Sequence, residues 1–165
     1  MSYMIYVPTR VLFGAGQLNN LHKQAMPGKK AMLVISSGNS TRRSGALDRT
    51  TEQLRTAGVE VALFDKVGSN PLKATVEEGA AFARSNGCDF VVALGGGSVM
   101  DAAKVMAMYA PQPGDLWDYV PGATGKMQPL VNPVLPWIAI TTTAGTGSEV
   151  DQWGVVTNPA TNEKI

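Results

Sequence analysis

An apolar run, Phe90-Val91-Val92-Ala93-Leu94, leads directly into Gly95-Gly96-Gly97-Ser98 and then into a proline-free stretch of helix formers reaching Tyr109. The run is rich in β-branched and aromatic types, the pattern of a strand buried on both faces. Only glycine lets backbone come close to a bound group at no steric cost. Ser98 is placed to cap the helix, with Asp101 three residues later as its capping-box partner. Strand, glycine turn and helix N-terminus together make an anion site, because free N–H groups and the positive end of the helix dipole point at one spot. The pattern predicts a phosphate cradle, for the pyrophosphate of a dinucleotide. The glycines by themselves equally fit a tight turn that packs helix on strand.

The rest of the chain repeats the alternation. Ala31-Met32-Leu33-Val34-Ile35 and Val59-Glu60-Val61-Ala62-Leu63-Phe64 predict strands, and so do residues 137–140 and 155–157. Helical spacing runs over 17–25 and 44–57 and again after Asn70-Pro71, where Asn70 is placed as N-cap and Pro71 at the first helical position. Residues 4–7 and 10–13, around Pro8-Thr9, predict an N-terminal β-hairpin. Residues 111–133 are rich in Pro and Gly and predict a surface excursion with a short turn at Leu116-Trp117. Strands alternating with helices imply an α/β fold, a Rossmann-like parallel sheet with helices on both faces, joined by right-handed crossovers. In such a sheet ligands sit beyond the carboxyl ends of the strands. Polar loops 36–40, 95–98 and 141–148 each follow an apolar strand, so all should meet at one edge.

Composition narrows the chemistry. A chain of 165 residues suffices for one domain spanning 1–165. The net charge of +1 gives no bias toward nucleic acid or an anionic membrane. No apolar run approaches the ~20 residues of a membrane span, and Met1-Ser2-Tyr3-Met4-Ile5-Tyr6 lacks the features of a signal peptide. The single Cys88 excludes an internal disulfide and fits a reducing, cytoplasmic compartment; it reads as a small buried hydrophobe. His22 is the only histidine and reads as a surface residue of the first helix. No His, Cys and carboxylate cluster has metal-ligand spacing, and no Ser/His/Asp or Cys/His set can form a triad. The sequence therefore assigns no catalytic and no metal-binding residue.

Four segments together resemble the iron-containing, or group III metal-dependent, alcohol dehydrogenases. They are Pro8-Thr9-Arg10-Val11-Leu12-Phe13-Gly14-Ala15-Gly16, Asn70-Pro71, the run from Gly95 through Asp101 to Lys104, and Thr141-Thr142-Thr143-Ala144-Gly145-Thr146-Gly147-Ser148-Glu149-Val150. The resemblance implies a dinucleotide-binding α/β domain holding NADP or NAD. By position, Gly96, Gly97 and Ser98 would bind the pyrophosphate. Thr142, Thr143 and Gly145 would line the nicotinamide and its ribose, Asn70 would approach the adenosine side, and Lys164 matches a lysine near the nicotinamide ribose. Ser36 stands where the family carries an Asp that selects NAD. With no acid in residues 36–40, and with Arg42 and Arg43 close behind, a weak preference for NADP(H) is expected. Asp101 is assigned to capping, and Glu149 fits a buried polar anchor.

In the resembling family a C-terminal helical domain supplies one Asp and three His to a divalent iron or zinc. The first of those ligands would lie beyond Ile165. The resemblance thus implies the nucleotide-binding portion, truncated before the metal domain, of an enzyme that interconverts small alcohols with aldehydes or ketones by hydride transfer. Such an enzyme is expected to be a homo-oligomer at full length, and this chain by itself to be inactive for want of metal ligands. The rival reading is an isolated nucleotide-binding module without catalysis. Glycerol-1-phosphate dehydrogenases and dehydroquinate synthases share the architecture, but the Thr143-Ala144-Gly145-Thr146-Gly147-Ser148-Glu149 form of the later loop points to the alcohol dehydrogenases.

Overall fold

Strand β1 (Lys30–Ser36) and strand β3 (Phe90–Gly95) lie side by side at the centre of the fold. Residues 31–35 and 90–95 are all buried, as continuous apolar runs require. A computed structural model describes residues 6–165. Strand β2 (Glu60–Val67) pairs with β1, and β4 (Trp137–Thr141) pairs with β3, giving the order β2-β1-β3-β4 with every pairing parallel. A short antiparallel ladder of β5 (Thr157–Asn158) and β6 (Glu163–Lys164) lies near the end of the chain.

The pleat sends alternate side chains to opposite layers. Ala31, Leu33, Ile35, Phe90, Val92 and Leu94 pack with Leu21, Leu47 and Leu54. Leu47 and Leu54 belong to α2 (Ala46–Thr56), and Leu21 to a 3-10 helix over Gln17–Lys23. Met32, Val34, Val91 and Ala93 face the other way. There they meet α3 (Lys73–Ser85) through Val76, Ala80 and Ala83, and α4 (Gly97–Tyr109) through Ala102, Ala103 and Met106. Each fully buried large apolar side chain contributes about 1.5–3 kcal/mol, so burial on both faces makes β1 and β3 the most strongly held strands.

Several local expectations are corrected. Of the expected hairpin, Met4 and Ile5 lie outside the described residues, and residues 6–13 form no strand. Val11 and Phe13 are 60% and 94% exposed, and a hairpin that buries neither face is at best marginal. The helix expected over 44–57 is α2 (Ala46–Thr56); the addition is a separate short helix, α1 (Ser40–Arg43), divided from it where Gly45 takes a left-handed φ of 73°. Asn70 is not an N-cap: its φ is 54°, and α3 begins only after Leu72. The Thr157 N–H donates to the Pro71 carbonyl at 2.8 Å, and Leu72 bridges to Thr157, so this segment is drawn out as extended chain.

Candidate nucleotide-binding site

From β1 the chain crosses to β2 on one side of the sheet, and from β3 to β4 on the other. The loops leaving β1 and β3 therefore diverge, opening a crevice beyond their carboxyl ends. A cleft of about 310 Å³ lies there, lined by Ser36, Gly68, Ser69, Gly96, Gly97, Ser98, Val99 and Thr143. Each of the four parallel strands sends the segment that follows it, or its own last residue, to this cleft. A larger open groove of about 490 Å³ runs between α2 and β2, lined by Asp48, Glu52, Arg55, Leu63 and neighbours. No glycine lines it, whereas the smaller cleft brings Gly96 and Gly97 to the start of a helix beyond the carboxyl ends of the strands, so the smaller cleft is the candidate site.

Helix α4 starts at Gly97, with Gly96 extended ahead of it (φ −89°, ψ −170°). Ser98 consequently falls inside the first turn instead of capping it, and no side chain caps this end. The leading N–H groups are left for a ligand or water. The three glycines differ in their surroundings. A Cβ on Gly95 would stand 2.7 Å from Val99 Cβ, which makes Gly95 a packing residue between β3 and α4. A Cβ on Gly96 would stand 3.1 Å from Thr143 Oγ1, and one on Gly97 3.1 Å from Thr146 Oγ1. Backbone at these two positions stays bare where the threonines of the later loop come close.

Asp101 also departs from its expected capping role. Its Oδ1 accepts a hydrogen bond from Ser148 Oγ at 2.6 Å. Lys104, buried on α4, donates to the Ser148 carbonyl at 3.0 Å and to Asp151 Oδ1 at 2.6 Å. The later loop is thus tied to α4. Its buried anchor is Ser148, while the neighbouring Glu149 is only half-buried.

A family model described as iron-containing alcohol dehydrogenase matches residues 8–165. The chain belongs to the iron-containing alcohol dehydrogenase family. It is 40% identical to a 1,3-propanediol dehydrogenase of Klebsiella pneumoniae, over 100% of this chain and 43% of the relative. It is 39% identical to a probable NADH-dependent butanol dehydrogenase 1 of Bacillus subtilis (strain 168), over 99% of this chain and 41% of the relative. Among solved structures, the archaeal halo-thermophilic Red Sea brine pool alcohol dehydrogenase ADH/D1 superposes with a TM-score of 0.90 at 37% identity, covering 99% of this chain and 42% of that one. The chain therefore spans about two fifths of the length of these relatives.

For an iron-containing alcohol dehydrogenase, the expected site residues divide into two sets. Ser36, Gly96, Gly97, Ser98 and Thr143 come together in the cleft. Thr142 and Gly145 stand beside it in the exposed loop, the Thr142 N–H donating to the Gly95 carbonyl at 3.0 Å. Asn70 and Lys164 do not line the cleft; Lys164 Nζ donates to Asn70 Oδ1 at 2.8 Å. Gly68 and Ser69, which line it, went unnoticed in the sequence, although they follow β2 just as the other loops follow their strands. Among the described residues, no group of three or more His, Cys, Asp or Glu is placed to hold a metal. His22 is half-buried and not a surface residue, its Nδ1 2.6 Å from Gln53 Oε1. The residues described here do not make the metal site that the family name implies. Burial pushes the Cys88 thiol above its ordinary range, which suits a packing residue and not a nucleophile.

Proposed function

We propose that this chain binds a nicotinamide dinucleotide, as the cofactor-holding part of an alcohol dehydrogenase that interconverts alcohols with aldehydes or ketones. The observation that carries the reading is the cleft at the switch point of the sheet, floored by Gly96 and Gly97 at an uncapped helix N-terminus. In this reading the leading N–H groups of α4 and the Ser98 hydroxyl hold the pyrophosphate. Ser36, Gly68 and Ser69 flank the adenosine ribose, and Thr142, Thr143 and Gly145 lie toward the nicotinamide. When bound, the cofactor supplies the hydride exchange. The chain's own residues bind it, orient it and hold water away from one side.

Both NAD(H) and NADP(H) fit the loop after β1, since Ser36 brings no carboxylate against a 2′-phosphate. Arg42, counted in the sequence as a free cation for that phosphate, is instead paired with Asp65. Its engagement leaves little basis for a strong preference, and the name of the butanol relative favours NAD(H). The substrate class we propose is that of the relatives' names, a small alcohol or its aldehyde. In this reading a divalent iron or zinc takes its ligands from residues other than those described, among which no group of three or more His, Cys, Asp or Glu is placed to hold a metal. A cytoplasmic, homo-oligomeric full-length enzyme completes the proposal. Among the described residues, no helix is long and apolar enough to cross a membrane.

Replacing Gly97 by Val tests the cradle. It sets a branched side chain where the pyrophosphate approaches and where Thr146 Oγ1 already stands 3.1 Å from a Cβ. Titration with NADH should show affinity at least about tenfold weaker, with far-UV circular dichroism unchanged. Unchanged affinity would put the cradle elsewhere.

A further inference from the structure

We propose that Asp65 is a positioning residue for coenzyme choice: by holding Arg42 it keeps that guanidinium from the 2′-phosphate of NADP(H), and so tips the site toward NAD(H). The proposal rests on the nucleotide-binding reading above and adds to it a determinant on β2, where the sequence pointed only to the loop after β1. That loop, residues 36–40, carries no acid, so a 2′-phosphate meets no carboxylate in it. Arg42 belongs to α1, the short helix that leaves the same loop. A free guanidinium there would suit a phosphate on the ribose, since the two groups pair through parallel hydrogen bonds. Arg42 is not free, because its Nη2 donates to Asp65 Oδ2. The carboxylate that the loop after β1 lacks is thus supplied from β2.

A bulge puts Asp65 where it is. While β1 advances from Val34 to Ser36, its partners on β2 advance from Phe64 to Val67, one residue more. Phe64 and Val67 both pack toward α3 and α4 across that extra residue. Asp65 and Lys66 lie between them, and each takes its own partner, Arg42 on α1 and Glu78 on α3. The Ser37 N–H donates to the Val67 carbonyl at 2.9 Å, so β2 stays joined to the cleft loop as far as Val67. Asp65 stands short of that joint, about 7 Å back along the strand. The pair therefore draws the guanidinium back along β2, away from Ser36, Gly68 and Ser69, where the reading above sets the adenosine ribose. Its side chains are 40% and 45% exposed, and a pair that open adds little to stability. Its effect falls on an incoming phosphate dianion, which must first take the guanidinium from a carboxylate.

The 165-residue chain is titrated with NADH and, separately, with NADPH, at one fixed salt concentration. Asp65→Asn keeps the shape and removes the charge. It should tighten NADPH binding about fivefold while NADH affinity stays within about twofold. Asp65→Glu restores a carboxylate and should return the ratio of the two affinities to within about twofold of the wild type. If Asp65→Asn does not fold, Asp65→Ser carries the same test. The gain must run through the guanidinium, so adding Arg42→Ala to Asp65→Asn should abolish it. A gain that survives Arg42→Ala, or a ratio that Asp65→Asn leaves unmoved, overturns the positioning role and leaves the cofactor reading intact. A melting temperature lowered with no change in the ratio would mark the pair as structural and overturns the role in the same way. A wild-type chain that binds neither NADH nor NADPH overturns the cofactor reading and this inference with it.

Discussion

Glu163 gathers hydrogen bonds from three separate parts of the chain. Its Oε2 accepts from the hydroxyls of Thr124 at 2.6 Å and Thr161 at 2.7 Å and from Trp117 Nε1 at 2.9 Å, while Oε1 accepts from the Thr124 N–H at 2.9 Å. The Thr124 hydroxyl first, then that of Thr161, push its carboxyl down to about 2 from an ordinary 4.5. Bonds to the charged form favour that form. The folded value lies below the unfolded one, so this stabilisation is present above about 4.5 and is lost as the pH falls toward 2. Urea midpoints of the wild type should decline through that window more steeply than those of Glu163→Gln. Parallel declines would show that the clamp contributes nothing to acid stability. No local pattern announces this residue, because its partners Trp117 and Thr124 stand 46 and 39 positions away. Lys164 is likewise partnered across the chain, its Nζ donating to Asn70 Oδ1, 94 positions earlier.

At the scale of elements, the strand–glycine–helix unit answers both readings of its glycines at once. Gly95 serves packing, since a Cβ there would meet Val99 Cβ and Cγ2 at 2.7 Å. Valine is stiff about χ1 and cannot swing aside. Gly95→Ala should force α4 away from β3 and cost about 1–3 kcal/mol in urea unfolding. A wild-type stability in that variant would mean the turn has slack. Gly96 and Gly97 serve the approach of a ligand. The order of strand, turn and helix was legible because each depends on neighbours in sequence. The capping box read at Ser98 and Asp101 does not form, because an extended Gly96 starts the helix before Ser98, and Asp101 finds Ser148 instead.

At the scale of the whole molecule, the chain carries one histidine, and among the described residues no group of three or more His, Cys, Asp or Glu is placed to hold a metal. With NAD(P)+, a small alcohol and added iron or zinc, the 165-residue chain should give no steady rise in nicotinamide absorbance, even at concentrations where it binds the cofactor. Sustained turnover by a chain of verified mass would overturn this. The relatives are more than twice as long, and the proposal assigns the metal and most of the substrate pocket to sequence that this chain does not share with them.

Period-two and helical patterns, the apolar runs of β1 and β3, and the glycine turn are written locally. They were enough to specify a parallel α/β sheet and the edge where its loops meet. They were enough because strand burial and helix propensity depend on residues a few positions apart. The sequence also placed Ser36, Gly96, Gly97, Ser98 and Thr143 at that edge, where they line one cleft. Tertiary structure alone decided which polar groups find each other: Arg42 with Asp65, Lys104 with Ser148 and Asp151, Glu163 with Trp117. Hydrogen bonds and ion pairs act only within a few ångströms, and which distant residues come that close is settled by how the layers pack.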